Sequence, residues 1–168
     1  DVCSSDLHQK EWVKVLYSDE EKALGETWLK NNTLDHWRHQ RMRSFLRSVV
    51  ANDTKASWLT VGDGRFGNDG HYLKSEGASN VHCTDISDEL LRVGAEMGFI
   101  DKYSAQNAEN LAFEDDSFDY VLCKDAMHHF PRPFIALDEM FRVARKAVFI
   151  IEPRDKSIDA TFFELIIN

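Results

Sequence analysis

The feature that most constrains this chain is a change of pattern near residue 57. Before it, residues 8–53 show the three-to-four spacing of apolar side chains that is typical of amphipathic helices. After it, short runs that are apolar throughout alternate with longer segments of helical pattern. Strands that are apolar on both faces are typical of a parallel sheet with helices on either side. We therefore predict a three-layer α/β fold preceded by an α-helical segment.

The positions of the strands and helices follow from this alternation. Strands are predicted at 58–61, 81–84, 102–105, 120–123 and 147–151. Helices are predicted between them at 68–76, 88–97 and 133–144. Pro133 suits the first turn of the last helix, because the N–H group that proline lacks would have no partner there. Strand–helix alternation of this kind predicts βαβ units and a doubly wound sheet.

Boundary signals divide the N-terminal segment into two helices. Ser18 and Glu21 form a capping box, and Thr33 begins the second helix. The apolar positions of that helix predict one buried stripe; they are Leu34, Trp37, Met42, Phe45, Leu46 and Val49. A basic group interrupts them at Arg38, Arg41, Arg43 and Arg47, with His36 and His39 alongside. This group is either a solvated face, or a cover in which Trp37, Arg38 or Arg41 closes over an anionic ligand group.

Charge and cysteine content exclude several classes of protein. The net charge is −9, and its acidic excess lies after residue 57, so we expect no nucleic acid as partner. No apolar run approaches the ~18 residues of a membrane span, so we expect no membrane association. Three cysteines stand far apart without the spacing of zinc ligands. We therefore predict reduced thiols in a cytoplasmic protein, with no metal site and with an oligomeric state that the sequence leaves open.

A glycine-rich turn directly follows the first predicted strand. Gly62, Gly64 and Gly67 lie between that strand and the next helix. Glycines let a backbone turn tightly and approach a ligand without a Cβ in the way. The helix N-terminus would add N–H groups for an anionic part of that ligand. Because glycines also serve turns alone, the motif by itself does not decide the function.

An acid closes the second predicted strand. Asp85 stands 18 residues after Gly67, near the ~20 at which an acid binds ribose hydroxyls in nucleotide-binding folds. A carboxylate can accept hydrogen bonds from both cis hydroxyls of a ribose. Asp85 could instead cap the next helix, although Ser87 is placed to do so. We predict that Asp85 binds a ribose, which does not yet distinguish a dinucleotide from other nucleoside ligands.

A later segment distinguishes these ligands through its resemblance to a known family. Residues 107–113 read Asn-Ala-Glu-Asn-Leu-Ala-Phe, and residues 115–121 read Asp-Asp-Ser-Phe-Asp-Tyr-Val. Together they resemble the DAE-x-LPF and D-x-SFD-x-V stretch of class I S-adenosylmethionine-dependent methyltransferases. With the glycine turn and Asp85 in the expected order, the resemblance extends over about residues 34–154. It implies a Rossmann-like, mostly parallel sheet in the order 3-2-1-4-5 and S-adenosylmethionine as cofactor.

The resemblance also implies roles for individual residues. The predicted cofactor-binding residues are Gly62, Asp63, Gly64, Gly67, Asp85, Ile86, Asn107, Ala108 and Lys124. The glycines would pass close to the methionine part, with Asp63 near its amine. Ile86 and Ala108 would contact the adenine, and Asn107 would face its exocyclic amine. Glu109 would satisfy backbone donors, while Lys124 would line the cleft beside the methyl group.

Three residues after the fourth strand are predicted to be catalytic: Asp125, His128 and His129. A histidine with a pKa near neutrality can take a proton from a hydroxyl or amine as that group attacks a methyl. Alternatively, one histidine packs or caps, and catalysis rests on positioning alone. We predict methyl transfer to a small-molecule acceptor, at oxygen or nitrogen in preference to carbon. An NAD-dependent oxidoreductase and a non-catalytic cofactor-binding module are the alternatives.

The chain departs from the family pattern at two positions of the glycine turn and at its end. Thr60 stands where the family often has an acid, and Phe66 stands where it often has a third glycine, which predicts a wider turn. The family fold normally continues with two further strands, so we expect a C-terminally truncated domain.

The expected organisation therefore has three parts. Residues 1–7 are a non-native or disordered stub, and residues 8–53 are a helical lid. Residues 54–168 form a truncated S-adenosylmethionine-binding domain.

Overall fold

The computed structural model describes residue 30 and residues 32–152. In chain order its elements are α1 (Leu34–Arg43), α2 (Leu46–Asn52), β1 (Ser57–Val61), α3 (Asn68–Ser75), β2 (Asn80–Asp85), α4 (Glu89–Glu96), β3 (Lys102–Ala105), β4 (Phe118–Lys124), a 3₁₀ helix (Met127–His129), α5 (Pro133–Val143) and β5 (Ala144–Ile151). No helix among these is long and apolar enough to cross a membrane. The stub, the capping box at Ser18 and the expected truncation lie outside the described residues.

The five strands form one parallel sheet in the order β3-β2-β1-β4-β5. This confirms the fold class, the strand order and each predicted strand. The central strand β1 pairs with β2 from Ser57 opposite Asn80, and with β4 from Trp58 opposite Tyr120. The sheet order reverses beside β1, and in such folds ligands bind outside the carboxyl ends of the strands at this point.

Two apolar clusters, one on each face of the sheet, make the three layers. One cluster packs α2, α3 and α4 against the sheet around Trp58, Leu73 and Leu91. The other packs α5 against the opposite face around Leu59 and Met140. Burial on both faces explains why the central strands read as continuous apolar runs rather than as alternating ones.

The second N-terminal helix is interrupted where the sequence predicted one continuous helix. Thr33 caps its start as predicted, since its side chain accepts a hydrogen bond from the His36 N–H. The helix then stops at Ser44, whose hydroxyl and backbone N–H both donate to the carbonyl of Arg41. A serine that bonds a carbonyl of the preceding turn competes with the helical hydrogen bond there. The chain resumes as α2, which ends at Asn52 as predicted.

The prediction of one buried apolar stripe on this segment was wrong in part. Leu46 is buried and Val49 packs against the core. Leu34, Trp37 and Phe45 are exposed, and the buried residues of α1 are His39 and Arg43. These polar residues face inward because they bind polar groups of the glycine turn and of the cavity described below.

The apolar spacing predicts that Phe134, Leu137, Met140, Phe141 and Ala144 share one face of α5, and this prediction was wrong in part. Phe134 and Phe141 are exposed, whereas Ala136, Met140 and Val143 face the sheet.

Candidate active site

A cavity of about 440 Å³ opens at the carboxyl ends of β1, β2 and β4. All but two of the predicted site residues line it: Gly62, Asp63, Gly64, Asp85, Ile86, Asn107, Ala108, Lys124, Asp125 and His129. The two that lie outside the lining are Gly67 and His128. The topology therefore brings residues that are far apart in sequence to one place. Their individual roles remain predictions.

The glycine turn is shaped by close packing as well as by the cavity. Gly62 has a φ of +76°, and a Cβ there would lie 2.5 Å from the Cβ of Ala126. A Cβ on Gly64 would lie 2.9 Å from a carboxylate oxygen of Asp85. Gly67 has a φ of +69° and packs against Ile100, away from the cavity lining. Only Gly64 thus keeps space free beside a polar group of the cavity, whereas Gly62 and Gly67 serve the turn.

Phe66 stands where the resemblance implies a glycine, and its backbone has a left-handed conformation with a φ of +60°. This conformation is energetically unfavourable for a residue that has a side chain. The turn therefore has two successive left-handed residues, Phe66 and Gly67.

Asp63 caps helix α3 from within the turn. Its carboxylate accepts hydrogen bonds from the backbone N–H groups of Asp69 and Gly70 and from the hydroxyl of Thr60, at 2.9–3.0 Å. Burial, together with the charge of Asp69, raises the pKa of Asp63 to about 7, although these hydrogen bonds act to lower it. The N–H of Asn68 is bonded as well, to the carbonyl of Arg65. The N-terminal amides of α3 are thus occupied, contrary to the expectation that they would receive an anionic ligand group.

Asp85 is a half-buried carboxylate at the end of β2. Burial raises the pKa of Asp85 to about 6, although backbone N–H groups of Ser87, Ile86 and Gly64 act in the opposite direction. The N–H of Ser87 lies 3.4 Å from its Oδ1 and precedes α4. Asp85 therefore does not cap the first turn of α4. The cap residue of that helix is Asp88, while the hydroxyl of Ser87 lies 3.4 Å from the N–H of Glu89.

The loop after β3 forms the wall next to Asp85. Ala108 is buried, and the side-chain oxygen of Asn107 accepts the Glu109 N–H at 3.0 Å. The carboxylate of Glu109 accepts the backbone N–H and the Nε–H of Arg132, each at 2.8 Å. Glu109 satisfies a backbone donor as predicted, but the donor lies on the loop across the cavity. The ion pair between Glu109 and Arg132 therefore joins two walls of the cavity.

The predicted catalytic residues separate into two positions. Asp125 has a φ of +57°, and its carboxylate lies in the cavity lining with His129. His128 lies outside, where its Nδ1 is 2.5 Å from Glu152. Glu152 also accepts the backbone N–H groups of Ala126 and Met127, so it fixes this loop. The structure thus places one histidine of the pair at the cavity and the other in the support of the loop.

His39 is a cavity residue that the sequence analysis missed. It is buried on α1, and its Nε2 lies 3.1 Å from a guanidinium nitrogen of Arg65 and 3.2 Å from a carboxylate oxygen of Asp35. Burial and the charge of Lys124 are the main causes that lower the pKa of His39 to about 4, so its imidazole is neutral at pH 7. Asp35, His39 and Arg43 recur every four residues, and this polar helical spacing was the available signal.

The basic group on α1 matches neither of its two interpretations fully. Arg38 lies 3.7 Å from the Asp125 carboxylate, at the edge of the cavity. Trp37 and Arg41 pack on each other and are outside the lining. Arg43 is buried and donates to the carbonyl of Asn68 and to the carboxylate of Asp69, each at 2.9 Å. Arg43 therefore anchors α1 to α3, whereas Arg38, Arg41 and Arg47 have exposed side chains, as the solvated-face interpretation expects.

Comparison with known proteins agrees with this architecture. A family model described as a methyltransferase domain matches residues 59–151. A ubiquinone/menaquinone biosynthesis C-methyltransferase from Citrobacter koseri is 34% identical over an alignment of 102 residues, which covers 52% of this chain and 41% of that protein. The chain thus spans about two fifths of the length of that curated relative.

Solved structures share the fold. The YcgJ protein from Bacillus subtilis has a TM-score of 0.60 at 24% identity, covering 76% of this chain and 58% of that one. The PH0226 protein from Pyrococcus horikoshii has a TM-score of 0.62 at 20% identity, covering 82% and 63%. The [4+2]-cyclase SpnF has a TM-score of 0.64 at 17% identity, covering 76% and 50%. Since the fold also occurs in a cyclase, it is the family match over the sheet and the glycine turn that assigns the chain. On that match, this chain belongs to the methyltransferase domain family, for which S-adenosylmethionine is the implied cofactor.

Proposed function

We propose that this protein transfers a methyl group from S-adenosylmethionine to a small-molecule acceptor. The observation that supports the proposal most is the cavity at the reversal point of the sheet. It joins the half-buried Asp85 carboxylate, the Cβ-free backbone of Gly64 and the loop at Ala108 in one place. That set offers an acceptor for hydroxyl groups and an apolar wall, which a nucleoside requires.

The residues present fit this cofactor on their own chemistry. Asp85 is half-buried and forms no ion pair within the described residues, so its carboxylate is suited to neutral hydroxyl donors. Gly64 leaves open the space that a Cβ would fill beside that carboxylate. Ile86 and the buried Ala108 would lie on either side of a purine. The residues that would hold the cofactor are therefore Asp85, Gly64, Ile86 and Ala108.

When bound, S-adenosylmethionine supplies an electrophilic methyl group on a sulfonium. The side chains near the end of β4 would orient the acceptor against it. His129 lines the cavity and is the residue we assign to hold, and where needed accept, the proton of the attacking group. Asp125 is held in a left-handed conformation at the same edge and would fix the acceptor's orientation. Positioning of two reactants is by itself a large part of catalysis in transfer reactions.

Two considerations point to different acceptor atoms. We expect oxygen or nitrogen on general chemical grounds, whereas the curated relative is named a C-methyltransferase. An acceptor panel should therefore contain phenols, amines and electron-rich ring carbons. Product analysis by mass spectrometry would identify the atom that is methylated.

Binding of the two rival cofactors tests the proposal. Titration calorimetry should show binding of S-adenosylhomocysteine and no comparable binding of NAD. Asp85→Asn should weaken the binding of S-adenosylhomocysteine. Asp101 is an exposed acid outside the cavity lining, so Asp101→Asn should leave that binding unchanged. Binding of NAD in place of S-adenosylhomocysteine would favour an oxidoreductase. Binding without product formation across the panel would favour a non-catalytic module.

A further inference from the structure

We propose that Lys124 binds the carboxylate at the amino-acid end of the cofactor. This inference rests on the proposed function and assigns one specific contact within it. It follows from three observations. Lys124 is buried, the backbone N–H groups at the start of α3 are already hydrogen-bonded, and two carboxylates lie near the ammonium.

Lys124 is a buried ammonium that lines the cavity. It lies at the end of β4, and only 5% of its side chain is exposed. The nearest carboxylate oxygens belong to Asp69, at 3.8 Å, and to Asp125, at 3.9 Å. Both distances exceed that of a direct hydrogen bond. Within the described part of the chain, the two carboxylates are therefore ion-pair neighbours of the Lys124 ammonium and not its hydrogen-bond partners, which leaves its N–H groups able to donate to a ligand in the cavity.

The backbone N–H groups at the start of α3, which could otherwise bind an anionic group, are already hydrogen-bonded. Amides at the start of α3 donate to the carboxylate of Asp63. A ligand carboxylate would meet a buried carboxyl there instead of open N–H groups. It therefore needs a different donor in the cavity, and the ammonium of Lys124 is a buried cation of the lining.

The sheet places Lys124 at the correct end of the cavity. Asp85 ends β2 and Lys124 ends β4, and β1 lies between these strands. Two strand spacings correspond to about 10 Å across the sheet. A cofactor with its ribose at Asp85 would thus extend over the glycine turn toward Lys124 with its amino-acid end.

The neighbours of Lys124 fit an amino acid better than a simple anion. Asp125 presents negative charge 3.9 Å from the ammonium, and Asp69 lies 3.8 Å from it while pairing with Arg43 at 2.9 Å. A ligand with only negative charge would be repelled by the Asp125 carboxylate. A zwitterion can place its carboxylate on Lys124 and its ammonium toward Asp125, so all charges alternate in sign.

Three nucleoside ligands separate this contact from the rest of the site. S-adenosylhomocysteine has the whole amino-acid group, its decarboxylated analogue has only the amine, and 5′-methylthioadenosine has neither. We expect the wild-type protein to bind S-adenosylhomocysteine about 10- to 100-fold more tightly than the decarboxylated analogue, the range for a hydrogen bond to a charged group. Equal affinities in the wild type would overturn the proposal without any variant.

Lys124→Met removes the charge and keeps the length of the side chain. Calorimetry should show that this variant loses the preference for S-adenosylhomocysteine while its affinity for 5′-methylthioadenosine is unchanged. Lys124→Arg should restore part of the preference. Lys102→Met is the matched control, since Lys102 is exposed and bonds only Asn80 in the described structure.

The outcomes distinguish this inference from the proposed function. An unchanged preference in Lys124→Met would mean that Lys124 serves another group, such as an acidic oxygen of the acceptor, and would overturn the inference alone. An equal loss for all three ligands would also overturn it, because the effect would then be one on the fold. If the wild type binds none of the three ligands, the proposed function fails and this inference fails with it.

Discussion

Replacing the Asp85 carboxylate by an amide should stabilise the protein and weaken its ligand binding at the same time. Burial raises the pKa of Asp85 to about 6, whereas an unperturbed aspartate has a pKa near 3.8. The folded protein therefore binds the proton of this group more tightly than the unfolded chain does. Its contribution to stability is greatest below pH 4 and is lost as the pH rises through 6. Above that range, the ionised Asp85 opposes folding.

The size of the effect follows from the pKa difference. About two pKa units correspond to about 3 kcal/mol in the free energy of unfolding at pH 8. Asp85→Asn removes this cost, but the backbone N–H groups of Ser87, Ile86 and Gly64 would then face an amide in place of a carboxylate. We expect a net stabilisation of about 1–3 kcal/mol at pH 8. At pH 4, where the folded wild type is protonated at Asp85, we expect a much smaller difference.

Urea unfolding of both proteins at the two pH values measures this difference directly. Calorimetry with 5′-methylthioadenosine at pH 8 should show about 10- to 100-fold weaker binding by Asp85→Asn, because bonds from the ligand hydroxyls to a charged acceptor are lost. Since other titrating groups are common to the two proteins, their effects cancel in the comparison. A stability difference that does not change with pH would refute the assignment of the raised pKa to Asp85.

Three further substitutions test separate parts of the cavity. Gly64→Val should weaken S-adenosylhomocysteine binding at least tenfold in calorimetry, because its Cβ would lie 2.9 Å from the Asp85 carboxylate. The far-UV circular dichroism should change little, and a normal affinity would show that the turn is only architectural. His129→Gln should lower turnover of an identified acceptor about 10- to 100-fold, and His128→Gln should lower it less, since only His129 lines the cavity; the reverse order would contradict this placement. Arg132→Ala should speed dissociation of S-adenosylhomocysteine several-fold, because the ion pair with Glu109 that joins two cavity walls is lost. Stopped-flow measurements give this rate, and an unchanged rate would show that the ion pair does not retain the ligand.

The sheet was predictable because each strand carries its own local signal. The central strands are buried on both faces, so they read as apolar runs bounded by polar residues. Their helices begin and end near recognisable signals such as Pro133 and Gly77. The strand order came from the resemblance to the family, because apolar runs alone do not state which strands are neighbours.

The inner face of α1 was not predictable from apolar spacing. Hydrophobic periodicity assumes that the apolar side of a helix faces the protein. In α1 the inward positions His39 and Arg43 are polar, since they bind groups of the cavity and of α3. A helix that covers a polar site reverses the usual rule, and the reversal is visible only once the site is located.

Residues of the cavity were predictable where a motif fixes them and not where tertiary contacts decide. Asp85 and Ala108 belong to motifs at known distances from strands, and both line the cavity. The occupation of the α3 amides by Asp63 depends on a side-chain rotamer that spacing does not specify. The different positions of His128 and His129 likewise depend on Glu152, which lies after β5.

Transfer of an isotopically labelled methyl group tests the central claim most directly. The protein would be incubated with S-adenosylmethionine bearing a deuterated methyl group and with the acceptor panel, and the products would be analysed by mass spectrometry. We expect S-adenosylhomocysteine and one labelled acceptor in equal amounts, both strongly reduced with Asp85→Asn. Tight binding of S-adenosylhomocysteine with no labelled acceptor would contradict methyl transfer as the function of this protein.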